Sequence, residues 1–167
     1  EGALIVVVGA RHRDVVIDQL AELEVSAQIL LEPEGRDSAA AMAVAAAWIH
    51  RTDQDGTAIF VASDHHIPDP QAFRSAVLKA SIEAETAGRI VMLGVRPTHP
   101  SSAYGYIRPS DRGLSPVEAF VEKPDRQLAT KYIAAGYLWN SGNFIVGAGL
   151  LLSELKRFAP GVETAVQ

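Results

Sequence analysis

A chain of 167 residues, 48% of them hydrophobic and 21% charged, is long and apolar enough to bury one sizeable core. Its net charge of −5, with no basic block longer than a pair, argues against a nucleic-acid binder, which needs a basic face to neutralise phosphates. There is no cysteine to build a disulfide framework or a zinc–thiolate site, no apolar run near the roughly 20 residues that cross a bilayer, and no signal-peptide pattern. A soluble cytoplasmic protein, away from the membrane, is the expectation.

The run from Ala3 to Val8 is aliphatic without polar alternation, which predicts a strand covered on both faces. Asp14 is placed to cap a helix whose Val16, Leu20 and Leu23 share a face. Gln28 to Leu31 reads as a second strand, and Ser38 or Asp37 opens an alanine-rich helix over Ala39 to His50. Thr57 to Ala62 is a third strand. Phe73, Val77, Ala80 and Ala84 mark the next helix, and Ile90 to Val95 the next strand. This alternation predicts parallel strands with right-handed crossovers. The second half differs. Tyr104 to Ile107 and Val117 to Val121 read as strands with no helix between them, followed by a helix over Arg126 to Ala135. A strand then runs from Trp139 through Phe144 to Val146, and a last helix covers Leu150 to Phe158. The fold class is α/β, Rossmann-like and three-layered, with a mostly parallel mixed sheet.

Ligands of open parallel sheets bind beyond the carboxyl ends of the strands, and polar clusters fall at four such places. Between the second strand and the alanine-rich helix lies Glu32-Pro33-Glu34-Gly35-Arg36-Asp37-Ser38. A helix N-terminus with a guanidinium beside it holds an anion, and a carboxylate there can accept from guanine; an ordinary capped turn is the alternative. After the third strand comes Ser63-Asp64-His65-His66. Asp64 is either an oxygen ligand for Mg²⁺ or part of a helix cap or turn before Pro68.

Phe120-Val121-Glu122-Lys123-Pro124 ends another strand. Glu122 can accept from sugar hydroxyls and Lys123 can face a phosphate, or the two form a solvated ion pair of little energy. Trp139-Asn140-Ser141-Gly142-Asn143-Phe144 offers an amide for a hydroxyl, or is a strand bulge with Trp139 in the core. Gly105, within Tyr104-Gly105-Tyr106, lets the backbone approach a ligand or relieves crowding.

Taken in order, ILLEPEGRDSAAAMAVAAA at Ile29 to Ala47, SDHHI at Ser63 to Ile67, YGYI at Tyr104 to Ile107, FVEKPD at Phe120 to Asp125 and WNSGNF at Trp139 to Phe144 resemble the mannose-1-phosphate guanylyltransferases. These include the first domain of bifunctional isomerase–guanylyltransferases. The resemblance implies condensation of GTP with mannose 1-phosphate to GDP-mannose and pyrophosphate, with Mg²⁺ on Asp64. It assigns Glu32, Gly35, Arg36 and Ser38 to the nucleotide, Gly105, Glu122 and Asn140 to the sugar, and Lys123 to its phosphate, with Lys123 and Asp64 as the catalytic pair. It leaves room for a homo-oligomer.

The sequence departs from that family in four places. The family's Gly-rich GGSGTRLWPLSR-type loop is absent, and a second metal-binding Asp would fall beyond Gln167. Asn143 stands where Met is usual, and Ser63-Asp64-His65-His66 where Ala-Asp-His is commoner. The expectation is one nucleotidyltransferase domain over residues 1–167, incomplete at its N-terminus and at its C-terminus. Three alternatives accompany this reading. One is a non-catalytic relative that binds a sugar nucleotide. Another is an enzyme for a different base or sugar. The third is a metal-dependent phosphoesterase suggested by Asp64-His65-His66, which lacks further strand-end aspartates upstream.

Overall fold

The structure, a computed structural model, describes residues 2–166. The chain divides into two compact units, one comprising the residues up to Ala58 and those from Gly147 onward, the other Ile59–Val146.

The first unit contains β1 (Ile5–Gly9) and β2 (Gln28–Glu32), paired in parallel with Ile5 opposite Gln28 and Gly9 opposite Glu32. All five residues of β1 are half-buried, so the expected strand covered on both faces is a partly exposed one. A short 3-10 turn over Ala10–His12 leads into α1 (Arg13–Glu22). His12, not Asp14, holds the N-cap position; Asp14 lies in the first turn, 3.0 Å from Arg13 Nη1. Leu23 follows the helix and is exposed.

The alanine-rich stretch forms α2 (Asp37–Thr52), which buries Ala43, Ala45, Ala46 and Ala47. It packs against β1, β2, α5 (Ala148–Phe158) and α6 (Pro160–Val166). Small side chains permit this close packing on several sides: Gly149 of α5 sits so near His50 that a Cβ there would be 3.3 Å from the imidazole Cε1. Pro160 stops α5 and opens α6, an element not expected from the sequence.

The second unit holds α3 (Pro70–Ala87), β4 (Val91–Val95), β5 (Tyr106–Pro109), β6 (Val117–Val121), α4 (Arg126–Ala134) and most of β7 (Leu138–Gly147). β3 (Thr57–Phe60) enters it, and the five-stranded sheet runs β3-β7-β5-β6, with β4 also paired to β7. The β4–β7, β5–β6 and β5–β7 ladders are antiparallel. The expected mostly parallel sheet is thus corrected: β4 takes the long, reversed β7 as its partner, and the parallel pairing seen is that of β1 with β2.

Two apolar clusters fix this unit. Ala80 and Ala84 of α3 meet Val91 and Ile145, while Tyr106, Ala129 and Tyr137 form the second, with Tyr132 stacked on Tyr137 at 4.5 Å. The fully buried Tyr106 hydroxyl donates to Ser101 O at 3.0 Å and accepts from Ser101 N at 3.1 Å. That pair satisfies a buried polar group and ties down the segment leading to Gly105. Among the described residues no helix is long and apolar enough to cross a membrane.

Candidate active site

Within the second unit a cleft of about 1170 Å³ opens among the loop after β3, β4, the segment before β5, the end of β6 and the first half of β7. Asp64, Gly105, Glu122 and Asn140 all line it. Residues spread along the sequence from Asp64 to Asn140 are thereby gathered around one space.

Asp64 lies in an exposed turn, and it caps no helix. The cap of α3 is Asp69, whose Oδ1 accepts from Gln71 N at 3.1 Å and Ala72 N at 2.9 Å. The helix-cap alternative for Asp64 is therefore removed, and the alternative of a turn before Pro68 stands beside the ligand reading. His65 and His66 line the same cleft, but among the described residues no three His, Cys, Asp or Glu side chains are grouped to hold a metal ion. A single carboxylate suits Mg²⁺, which keeps waters and takes its remaining oxygens from substrate phosphates.

Gly105 is where three chain segments converge. Its carbonyl accepts from Asn140 N at 2.8 Å, and a Cβ built on it would stand 2.7 Å from Glu122 Oε2 and 3.6 Å from Asn140 Cβ. The missing side chain thus lets the Glu122 carboxylate lie against the backbone of Gly105. Asn140 Oδ1 accepts from Gly142 N at 3.1 Å. A backbone donor fixes that end of the amide as oxygen and leaves the NH₂ end to donate to a ligand.

Lys123 lies beside this group, its Nζ 3.3 Å from Glu122 Oε1, with both side chains more than half exposed. So open a pair is worth little to stability, and the ammonium remains accessible to an anion. The backbone of Lys123 is unusual: φ is +44°, and Pro124 follows. A non-glycine residue in the left-handed region, before a proline, is strained, and such strain is kept where the surroundings impose it. Asp125 then caps α4, its Oδ1 accepting from Leu128 N at 2.8 Å.

The bulge expected in β7 is present. Asn140 pairs with Gly94 and Phe144 with Met92, so Ser141-Gly142-Asn143 stands opposite Leu93 alone, with Gly142 at φ +74°. Trp139 is half-buried and also lines the cleft, with Tyr104 4.8 Å and His99 5.2 Å away, ring centre to ring centre. The bulge turns Asn143 inward: it is 4% exposed, lines the cleft, and its Oδ1 has no hydrogen-bond partner. The motifs assign Asn143 no role; its place where the resembling family usually has Met is the available signal.

The first unit carries the other four candidates. Glu32 ends β2, Gly35 and Arg36 form the connection, and Ser38 lies in the first turn of α2. Neither Ser38 nor Asp37 caps that helix. Arg36 occupies the N-cap position without a side-chain cap, and Asp37 adopts φ +42°. The first-turn N–H groups of this 16-residue helix are consequently left without a side-chain acceptor. Arg36 is engaged by Glu34, whose Oε2 accepts from Nε at 3.1 Å and Nη2 at 2.7 Å.

The family model described as nucleotidyl transferase matches residues 2–167 of the chain. The chain belongs to the nucleotidyl transferase family. It is 44% identical over 168 residues to the xanthan biosynthesis protein XanB of Xanthomonas campestris pv. campestris, covering 99% of this chain. It is 40% identical over 174 residues to the mannose-1-phosphate guanylyltransferase of Escherichia coli, covering 98%. The chain spans only 36% of the length of each.

Among solved structures, that described as mannose-1-phosphate geranyltransferase from Thermus thermophilus superposes with a TM-score of 0.86 at 32% identity, covering 97% of this chain and 47% of that one. The mixed α/β architecture is therefore the nucleotidyltransferase fold, and the resemblance to guanylyltransferases holds along the length of the chain.

Proposed function

We propose that the protein containing this chain transfers a guanylyl group from GTP to mannose 1-phosphate, forming GDP-mannose and releasing pyrophosphate. The observation that carries this reading is the convergence of Gly105, Glu122 and Asn140 in one cleft with Asp64. That cleft offers a carboxylate acceptor, an amide donor and a neighbouring ammonium, which is the set a phosphorylated sugar requires.

In the reaction an oxygen of the sugar phosphate attacks the α-phosphorus of the triphosphate. The bond from that phosphorus to the bridging oxygen breaks, and pyrophosphate carries away the electron pair. The protein forms no bond to phosphorus, so its contribution is positioning and charge stabilisation. Glu122 and Asn140 hold sugar hydroxyls, and Lys123 faces the sugar phosphate. Asp64 would hold Mg²⁺, which neutralises charge developing on the transferred phosphate.

Glu32, Gly35, Arg36 and Ser38 are assigned to the nucleotide. The uncapped N-terminus of α2 supports an anion there, and Arg36 supplies a fork that turns from Glu34 to a phosphate. Such a reaction belongs in the cytoplasm.

The test is pyrophosphate release by the full-length natural protein with Mg²⁺, each nucleoside triphosphate and a set of hexose 1-phosphates. Release that needs both GTP and mannose 1-phosphate supports the assignment. A different productive pair reassigns base or sugar, and silence with every pair makes the protein a non-catalytic binder.

A further inference from the structure

Helix α3 turns one face to its own sheet and the opposite face to solvent. Phe73, Val77, Ala80 and Ala84 share the inner face, with Ala80 and Ala84 buried against Val91 and Ile145. An amphipathic helix of this kind is polar on its outer face. The middle of the outer face of α3 instead carries Leu78 and Ile82, which are 65% and 61% exposed. Four residues apart, they stand one above the other and make an apolar stripe.

Charges of opposite sign bound that stripe. Arg74 precedes Leu78 by one turn and Glu85 follows Ile82 by one turn, both exposed. Among the described residues neither has an ion-pair partner in its own chain. At 3.6 residues per turn both fall on the same flank, roughly 40–60° from the centre line of the stripe.

This arrangement is self-complementary. In an antiparallel pair of α3 helices related by a two-fold axis level with Ala80, Leu78 of each copy meets Ile82 of the other. Arg74 of each copy then comes level with Glu85 of the other to within about 1.5 Å along the axis, on the same flank. A parallel pair would set Arg74 against Arg74 and Glu85 against Glu85, so the charges select the antiparallel one.

We propose that the outer face of α3 is a docking surface for a second copy of this chain. The two helices pack antiparallel on Leu78 and Ile82, with an Arg74–Glu85 ion pair at each end. One helix pair buries less than the roughly 1,200 Å² at which standard interfaces begin, so the contact forms at micromolar concentrations. None of the four residues lines the cleft, whose α3 wall lies on the flank of Ala72, Ala76 and Lys79. The contact is therefore independent of the reaction assigned to the cleft.

The test is sedimentation velocity of the full-length natural protein from about 1 to 100 µM, where a reversible doubling of mass is expected. The double variant Leu78→Ser, Ile82→Ser should weaken association by about tenfold or more. Both side chains are exposed, so its turnover, and its Tm at the lowest concentration, should match the natural protein. Arg74→Glu and Glu85→Arg should each weaken association by about tenfold, because each sets like charges together at both ends. An equal mixture of these two single variants should associate as the natural protein does, since both ends then pair opposite charges.

A natural protein monomeric throughout, or an assembly that the serine variant leaves intact, would overturn the proposal. So would a mixture of the two charge variants that associates no better than either alone. A Tm lowered by several degrees in the serine variant, with mass unchanged, would place the stripe under the protein's own chain and overturn it too.

Discussion

Glu122 Oε2 stands 2.7 Å from the point where Gly105 would carry a Cβ, so the carboxylate occupies space that any other residue at 105 would claim. The atoms a methyl group would meet are the far ends of the Glu122 and Phe120 side chains, with Phe120 Cζ at 3.1 Å. Both can swing aside. Gly105→Ala should therefore leave stability within about 0.5 kcal/mol, the usual range for a change without a core penalty. It should raise KM for the sugar phosphate about tenfold by turning Glu122 away. Thermal unfolding beside steady-state kinetics reads both, and a change in stability with no change in KM would remove Gly105 from the site.

At Lys123 function and backbone comfort are opposed. Lys123→Gly relieves the left-handed conformation at φ +44° and should hold or raise Tm. It also removes the ammonium, and kcat/KM should fall by roughly a hundredfold, as for loss of one charge-stabilising donor. Lys123→Ala should lose the same activity without the gain in stability. Retained activity in both variants would make the exposed pair with Glu122 a surface feature only.

Asp64 and Asp69 separate ligand from cap. Asp64→Ala should abolish Mg²⁺-dependent turnover while thermal unfolding stays unchanged, because the α3 cap does not depend on that side chain. Asp69→Ala removes the α3 cap made to Gln71 N and Ala72 N and should cost about 1 kcal/mol of stability. Denaturant titrations and activity assays on the two variants should give opposite patterns.

Arg36 is bound by Glu34 through two contacts to one oxygen, both side chains about 70% exposed. An exposed pair of this kind contributes at most about 1 kcal/mol. Glu34→Gln should thus leave Tm unchanged and lower KM for GTP two- to threefold by freeing the guanidinium, whereas Arg36→Ala should raise it about tenfold. KM for mannose 1-phosphate should not move in either variant. An equal effect on both substrates would contradict the nucleotide assignment.

Much of this is legible in the sequence where local rules and tertiary context agree. β6 falls where Val117 to Val121 predicts it, α4 begins after the capping Asp125, and the strand through Trp139 carries its bulge at Gly142. The motifs of Gly105, Glu122 and Asn140 point to one set, but not to their contacts, since hydrogen bonds across β5, β6 and β7 depend on register. The direction of the sheet is not legible because short apolar runs such as Val91 to Val95 look alike whether their neighbour is parallel or reversed. The role of Asp64 stays open in the sequence between a ligand and a cap or turn before Pro68; the position of Pro70 at the helix start selects Asp69 as the cap. Asn143 is marked in the sequence only as a departure from the Met usual in the family it resembles; that a bulge buries its side chain leaves no periodic trace.

The most direct test of the account is the fate of label from GTP carrying ³²P at the α-phosphate, incubated with the full-length natural protein, Mg²⁺ and mannose 1-phosphate. The account predicts that the label appears in GDP-mannose, with one unlabelled pyrophosphate released for each molecule formed. Label recovered as GMP or retained in GTP, with no sugar nucleotide formed, would contradict it.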